Sequence, residues 1–298
     1  MGTKLMPITN DNINREETSR LTLQYLNELS NEIGPRAAGS ENEQKAADYI
    51  ITKFKEFGYN PHIQPFTSEV QDNKIISSSN IEIIKKGISS TEIMIGAHYD
   101  SVEVGEGADD NASSIAVMLY IAEKLNNWKT YYTIRLVAFG AEEAGLKGSR
   151  FYVSQMRDSE IQKTMLMINM DSLIAGDHMY VYGYGWRTTE IGGQLAKIFN
   201  DYRTSIYTEI NESVAGDWSD YAPFKRAGIP CLHLEATNWQ LGDKDGYTQV
   251  DESLGVIGKI WHTKYDTIDY ISRTFPGRIE NHLLVFSRLL HDIMTKIK

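Results

Sequence analysis

The sequence predicts an α/β fold: a three-layer sandwich in which a mixed, largely parallel central sheet is flanked by helices. Two observations support this prediction. Short apolar runs rich in β-branched residues or methionine are typical of strands covered on both faces, and they occupy 81–84, 93–97, 133–139 and 165–170. Helical patterns at 113–125 and 146–156 lie between several of these runs. Such alternation of strand and helix is typical of a sheet with helices on both faces.

The same patterns predict one domain over residues 1–298. A further helix is predicted over 41–57, where Ser40 and Glu43 form a capping box ahead of apolar residues at helical spacing. Hydrophobic segments recur evenly from Leu21 to Ile293 without a repeat or a flexible linker, and residues 1–15 are expected to be a loose N-terminal arm. The irregular segment 236–260 is either a pocket wall or lid, or a surface insertion without a role.

Composition excludes several classes of protein. With 41% hydrophobic and 23% charged residues, the chain resembles soluble globular proteins, and it has no apolar stretch of the roughly 18 residues that a membrane span needs. Its net charge of −10 disfavours a nucleic-acid partner. Residues 1–20 lack the apolar region of a secretory signal, which favours the cytoplasm unless a leader has been removed. Compartment and oligomeric state stay open.

The polar residues that end the predicted strands form the candidate site. His98 and Asp100 follow one strand, Glu142 and Glu143 the next, and Asp171 a third, and ligands of open α/β sheets bind where strands end. Any one of these residues alone is more often a cap, a turn residue or a solvated side chain.

Together these carboxylates require a positive partner, because burying several of them without one costs several kcal/mol per ion. Cys231 is the single cysteine, so thiolates cannot form a metal cluster. Histidine and carboxylate ligands suit zinc, or manganese and cobalt, and an aspartate could bridge a pair of ions with one oxygen to each. A pair of divalent metal ions is therefore predicted.

Six motifs in order resemble the co-catalytic zinc aminopeptidases of family M28. They lie at 33–40, 96–101, 107–113, 141–149, 169–171 and 262–267, with a further short match at 219–224. The resemblance implies two zinc ions per chain, for which manganese or cobalt can substitute. It also implies their ligands: His98 and Asp171 on one ion, Glu143 and His262 on the other, and Asp110 between them. A cis peptide after the bridging residue, here Asp110-Asn111, is implied as well.

Glu142 then remains as a carboxylate that binds no metal. Because a metal pair acidifies a water molecule, a free carboxylate beside it can act as general base and pass the proton to the leaving amine. Asp100 is predicted to fix the ring of His98, and Asp266 that of His262.

The resemblance implies that the substrates are peptides with a free N-terminal amine. Carboxylates near the metals can hold an ammonium group, whereas a carboxypeptidase would need an arginine, for which Arg187 and Arg226 are the candidates. Substrate contacts are predicted at Trp218, Asp220 and Trp261.

Two alternatives stay open. A glutaminyl cyclase of the same fold would use one zinc, and the tryptophan before His262 is similar to the cyclases. A non-catalytic binding protein of this fold would be expected to lack some ligands, and this sequence has all five.

Overall fold

One mixed sheet of eight strands crosses the computed structural model, which describes residues 14–70, 73–210, 216–254 and 258–298. Its strands are β1 His62–Glu69, β2 Ile75–Lys85, β3 Glu92–His98, β4 Thr133–Phe139, β5 Thr164–Met170, β6 His178–Tyr182, β7 Ile206–Tyr207 and β8 Cys231–Thr237. Their spatial order is β1-β2-β4-β3-β5-β8-β6-β7. The central strands β4, β3, β5 and β8 are mutually parallel, while β2 and β6 join them antiparallel. The predicted mixed, largely parallel sheet is confirmed.

Helices cover both faces of this sheet. They are α1 Arg15–Asn27, α2 Glu41–Glu56, α3 Ser113–Leu125, α4 Lys147–Gln155, α5 Asp158–Lys163, α6 Gly192–Asp201, α7 Tyr221–Arg226, α8 Ile268–Thr274 and α9 Arg278–Lys296. Shorter helical turns lie at Glu28–Ile33, Ala108–Ala112, Trp186–Thr188 and Glu252–Leu254.

The side chains of β3 show how the strands divide the core. Ile93, Ile95 and Ala97 pack with α1, α2, α3, α6 and α9 on one face. Met94 points to the other face and packs with residues of α4 and α7. Because successive side chains of a strand alternate between faces, an uninterrupted apolar run is what a sheet buried on both sides requires. The predicted three-layer architecture follows from that burial.

Two sequence predictions need correction. Arg15 does not belong to a loose arm, because it begins α1. The Asn14 side chain caps this helix by accepting the backbone N–H groups of Glu16 and Glu17. Residues 1–13 of the predicted arm lie outside the described residues. The capping box at the start of α2 is half formed. Ser40 accepts from the Glu43 N–H, whereas the Glu43 carboxylate turns away to the N–H of Gly39.

None of the helices in the described part of the chain has the length and hydropathy that a transmembrane span requires.

Candidate metal centre

The parallel register of the central strands brings their polar ends together. His98, the last residue of β3, pairs with Phe139 of β4, so it lies level with the turn that carries Glu142 and Glu143. Asp171 follows β5 directly, and Gly96 of β3 pairs with Asn169 of β5. The structure thus places the strand-end residues at one edge of the sheet, where ligands of open α/β sheets bind.

Two groups of potential metal ligands share one carboxylate. The first contains His98, Asp110 and Asp171, the second Asp110, Glu143 and His262, and the ligand atoms of each group lie within 4.8 Å of one another. Oδ1 of Asp110 is 3.2 Å from Nε2 of His98, and its Oδ2 is 3.1 Å from Nε2 of His262. Each oxygen of this aspartate therefore faces a different group.

Asp110 is held ionised in this arrangement. Burial opposes its charge, but hydrogen bonds from His262 and His98 outweigh burial and lower its pKa. The peptide bond between Asp110 and Asn111 is cis, as the resemblance implies. The carboxylate of Asp110 thus has the negative charge that a shared metal ligand requires.

The two adjacent glutamates occupy different places. Oε2 of Glu143 lies 2.9 Å from Nε2 of His262, so this side chain belongs to the second group. Glu142 belongs to neither group, although it lines the same cavity. Burial raises the pKa of Glu143 to about 7, and burial raises that of Glu142 well above its usual value. Neighbouring carboxylates add to both rises, so negative charge is crowded around the two ligand groups.

Asp100 supports this arrangement more extensively than the sequence predicted. Its backbone oxygen is 3.2 Å and its Oδ1 3.5 Å from Nδ1 of His98, which leaves Nε2 facing the ligand group. The same carboxylate accepts the backbone N–H groups of Glu142 and Glu143 at 3.0 and 3.1 Å. One buried aspartate therefore orients the histidine and both glutamates.

Asp266 lies elsewhere than predicted. Its carboxylate accepts the backbone N–H groups of Asp109 and Asp110, at 2.6 and 3.2 Å, instead of the ring of His262. The backbone in this loop before α3 is not helical at Asp110 and Asn111, and buried N–H groups outside regular structure need an acceptor. Asp266 thus fixes the aspartate shared by both groups.

Three residues that the sequence analysis did not connect with the site form hydrogen bonds with the segments that carry the ligand groups. Glu43 accepts the N–H of Ala141, which precedes the glutamate pair. Arg36 is fully buried and donates to five backbone carbonyls, those of Leu29, Gly34, Tyr99, Glu106 and Gly107. Gln249 bonds the carboxylate of Asp109. Long-range contacts such as these leave no local pattern, although 33–40, which contains Arg36, is one of the motifs noted above.

A cavity of about 360 Å³ opens above the ligand groups. Trp218 and Trp261 line it, together with residues of the irregular segment such as Trp239 and Tyr247, so the described part of that segment forms a pocket wall. Asp220 does not line the cavity: it is fully buried, and burial raises its pKa to about 7. This position does not support the predicted substrate contact of Asp220, because both of its carboxylate oxygens are buried.

Comparison with known proteins shows the family of this chain. The model of peptidase family M28 matches residues 80–287. The chain belongs to peptidase family M28. Among its relatives, the alkaline phosphatase isozyme conversion protein of Escherichia coli (strain K12) is 32% identical over 296 residues, covering 88% of this chain and 86% of that protein. Aminopeptidase YwaD of Bacillus subtilis (strain 168) is 32% identical over 209 residues, 66% of this chain and 41% of that protein.

Solved structures share the fold of this M28 chain. A zinc aminopeptidase from Bacillus subtilis superposes with a TM-score of 0.74 at 18% identity, covering 93% of this chain and 95% of the other. The glutaminyl cyclase of Tannerella forsythia superposes with a TM-score of 0.72 at 17% identity, covering 94% and 99%. Both aminopeptidases and cyclases therefore have this architecture.

The ligand groups of this M28 peptidase fit divalent metal ions. Two imidazole nitrogens and three carboxylates form the two groups, a donor set that suits zinc. Burial raises the pKa of Glu143, and the nearby charge of Asp110 adds to that rise. A cation between Glu143 and Asp110 would remove this repulsion. The types of ligand and the crowding of their negative charges therefore both favour a bound metal ion.

Proposed function

We propose that this chain is a zinc-dependent aminopeptidase that holds two zinc ions and hydrolyses the first peptide bond of peptides with a free N-terminal amine. One observation carries the proposal: the two oxygens of Asp110 face different histidines, each within a separate ligand group. A single-metal site would need only one such group. Membership in family M28 supports the hydrolase class.

Glu142 is the general base in this proposal. When bound, the zinc pair supplies a Lewis acid and lowers the pKa of the attacking water. The Glu142 carboxylate takes a proton from that water and gives it to the leaving amine, which requires a carboxylate that is not itself a ligand. Its exclusion from both ligand groups and its place in the cavity wall support this role.

The charge of the cavity favours the amino end of a peptide. The described residues that line it include no arginine, and both candidates for binding a substrate carboxylate lie elsewhere. Arg187 stacks on Trp186, while Arg226 pairs with Asp217. An ammonium group is therefore the substrate terminus that suits these carboxylates.

A glutaminyl cyclase is the second candidate. Trp261, which precedes His262, lines the cavity, and the Tannerella forsythia cyclase shares the fold. The complete second ligand group weighs against a single-zinc enzyme.

The test offers the zinc-loaded protein two substrates in parallel, leucine p-nitroanilide for hydrolysis and an N-terminal glutaminyl peptide for cyclisation. We expect hydrolysis that a chelator abolishes and added zinc restores. Asp110→Asn should abolish turnover, whereas Asp243→Asn, on an exposed side chain outside the cavity, is the matched control. Cyclisation without hydrolysis would favour the second candidate. Zinc binding with neither reaction would favour a non-catalytic protein.

A further inference from the structure

Glu235 is a carboxylate on the floor of the cavity that belongs to neither ligand group. It lies near the end of β8, two residues after His233, so the two side chains share one face of the strand. Both side chains line the cavity, and Glu235 is only 7% exposed. The proposed chemistry does not use this buried acid.

Two side chains lie next to the Glu235 carboxylate. Its Oε1 accepts the indole N–H of Trp239 at 2.7 Å, and Nε2 of His233 is 3.4 Å from its Oε2. Nδ1 of His233 lies 3.1 Å from the side-chain amide nitrogen of Asn169, so the other nitrogen of the ring is the one that faces Glu235. The indole N–H, which has no charge, orients the carboxylate without neutralising it.

Neither a lysine nor an arginine pairs with this carboxylate among the residues that the structure describes. None of their lysine or arginine nitrogens lies within 4 Å of it. Lys259 and Asp245 also line the cavity, but their opposite charges sum to zero. A buried carboxylate without a cation is costly, and its oxygens have lone pairs left for a ligand.

Aromatic rings surround the space above Glu235. Tyr182 and Trp239 meet edge to face with 5.6 Å between ring centroids, and Tyr247 lies 5.3 Å from Trp218 and 6.0 Å from Trp261. All five rings line the cavity. Aromatic faces attract organic cations, so these walls and the acidic floor favour the same class of ligand.

A continuous chain of contacts links this floor to the metal centre. Ser219 donates to Oδ2 of Asp171, and Asn169 donates to Ser219, both at 2.7 Å. Asn169 in turn contacts His233, which contacts Glu235. The same cavity is lined both by the ligand groups and by Glu235, as a pocket for the side chain of the first substrate residue would be.

We propose that this cavity selects peptides whose first residue has a cationic side chain, arginine or lysine, and that Glu235 is the residue that determines this specificity. The inference rests on the proposed aminopeptidase function and names its substrate class. The carboxylate binds the guanidinium or ammonium head, while the aromatic rings pack against the aliphatic stem and the charge.

The experiment compares substrates that have a cationic first residue with neutral analogues of similar length. The zinc-loaded protein is given the p-nitroanilides of arginine and citrulline, and of lysine and norleucine. We expect kcat/KM to favour each cationic member at least tenfold. Glu235→Gln, which keeps the shape and the acceptor for Trp239, should reduce that ratio at least fivefold, whereas the control Asp243→Asn should preserve it.

Two results would overturn the inference: equal rates for charged and neutral members, or a ratio unchanged in Glu235→Gln. An unchanged ratio together with an equal fall for all four substrates would mean that Glu235 holds the substrate amine or the pocket wall. Calorimetric binding of free L-arginine and L-citrulline tests the pocket without turnover. Tighter arginine binding without hydrolysis would refute the proposed function alone, whereas hydrolysis of leucine p-nitroanilide without any preference for charge would refute this inference alone.

Discussion

The side-chain amide of Gln249 donates to the carboxylate of Asp109, with 2.6 Å between Nε2 and Oδ2. The Oε1 atom of the same fully buried glutamine accepts the backbone N–H groups of Ile260 and Trp261 at 2.7 and 2.8 Å. One side chain thus ties the loop that carries the shared aspartate to the segment that precedes His262. Contacts of this kind set the separation of ligands that come from distant parts of the chain.

Gln249→Leu should weaken zinc binding to the group that contains His262. The substitution leaves two buried N–H groups and a carboxylate oxygen without a partner, at about 1 to 3 kcal/mol for each group. We expect the affinity for one of two zinc ions to fall at least tenfold, measured by competition with a chromogenic chelator. Gln240→Leu, on an exposed side chain, is the matched control. Equal loss of affinity in both variants would contradict this role.

Replacement of Arg36 should reduce the stability of the fold more than most single substitutions do. Burial lowers the pKa of its guanidinium to about 10, so it stays charged at neutral pH. Arg36→Met removes the donors to five buried carbonyls, and we expect the free energy of unfolding in urea to fall by about 3 kcal/mol or more. Arg36→Lys should lose less because an ammonium keeps three donors. The exposed Arg203 supplies the control Arg203→Met, and a similar loss there would contradict the assignment.

His282 should make the free energy of unfolding depend on pH. Burial lowers the pKa of this α9 side chain to about 3, from 6.5 in the unfolded chain. Between those values the unfolded state binds a proton that the folded state does not, so stability falls as pH falls, by up to about 1.4 kcal/mol per pH unit. His282→Asn keeps a donor for the carbonyl of Leu173 and should flatten this slope in urea titrations from pH 6.5 to 4. An unchanged slope would contradict the assignment.

Strand ends and motif spacing predicted most of the residues in the candidate ligand groups, because both are local properties of the sequence. His98, Glu142 and Asp171 follow buried strands, and parallel strands end at one edge of a sheet whatever the details of packing. Trp218 and Trp261, for which substrate contacts were predicted, both line the cavity, and the contacts themselves stay a prediction.

The residues that sequence reasoning misplaced depend on which way a side chain turns. Asp266 is close in sequence to His262, yet it bonds backbone groups more than 150 residues away. Asp220 follows a cavity residue but points inward. Glu235 could not be recognised, because its significance arises only when β8 and the segment after it enclose the same cavity. Tertiary contacts decide such cases.

The two adjacent glutamates provide a matched pair of variants. Glu142→Gln should keep both metals and near-normal KM while kcat falls by about 10² to 10⁴-fold, the usual contribution of general acid–base catalysis. Glu143→Gln should lose metal, since that side chain contacts His262 within the second group. Metal content by atomic emission and steady-state kinetics measure both effects. Zinc loss in Glu142→Gln with full retention in Glu143→Gln would reverse the two roles.

The most direct test of the proposed enzyme is a zinc titration of the metal-free protein, with bound zinc and hydrolysis of leucine p-nitroanilide followed in the same samples. Because Asp110 faces two histidines in separate ligand groups, we predict that binding saturates at two zinc ions per chain and that full hydrolytic activity requires both. Saturation at one zinc ion per chain, or two bound ions without hydrolysis, would contradict the proposal.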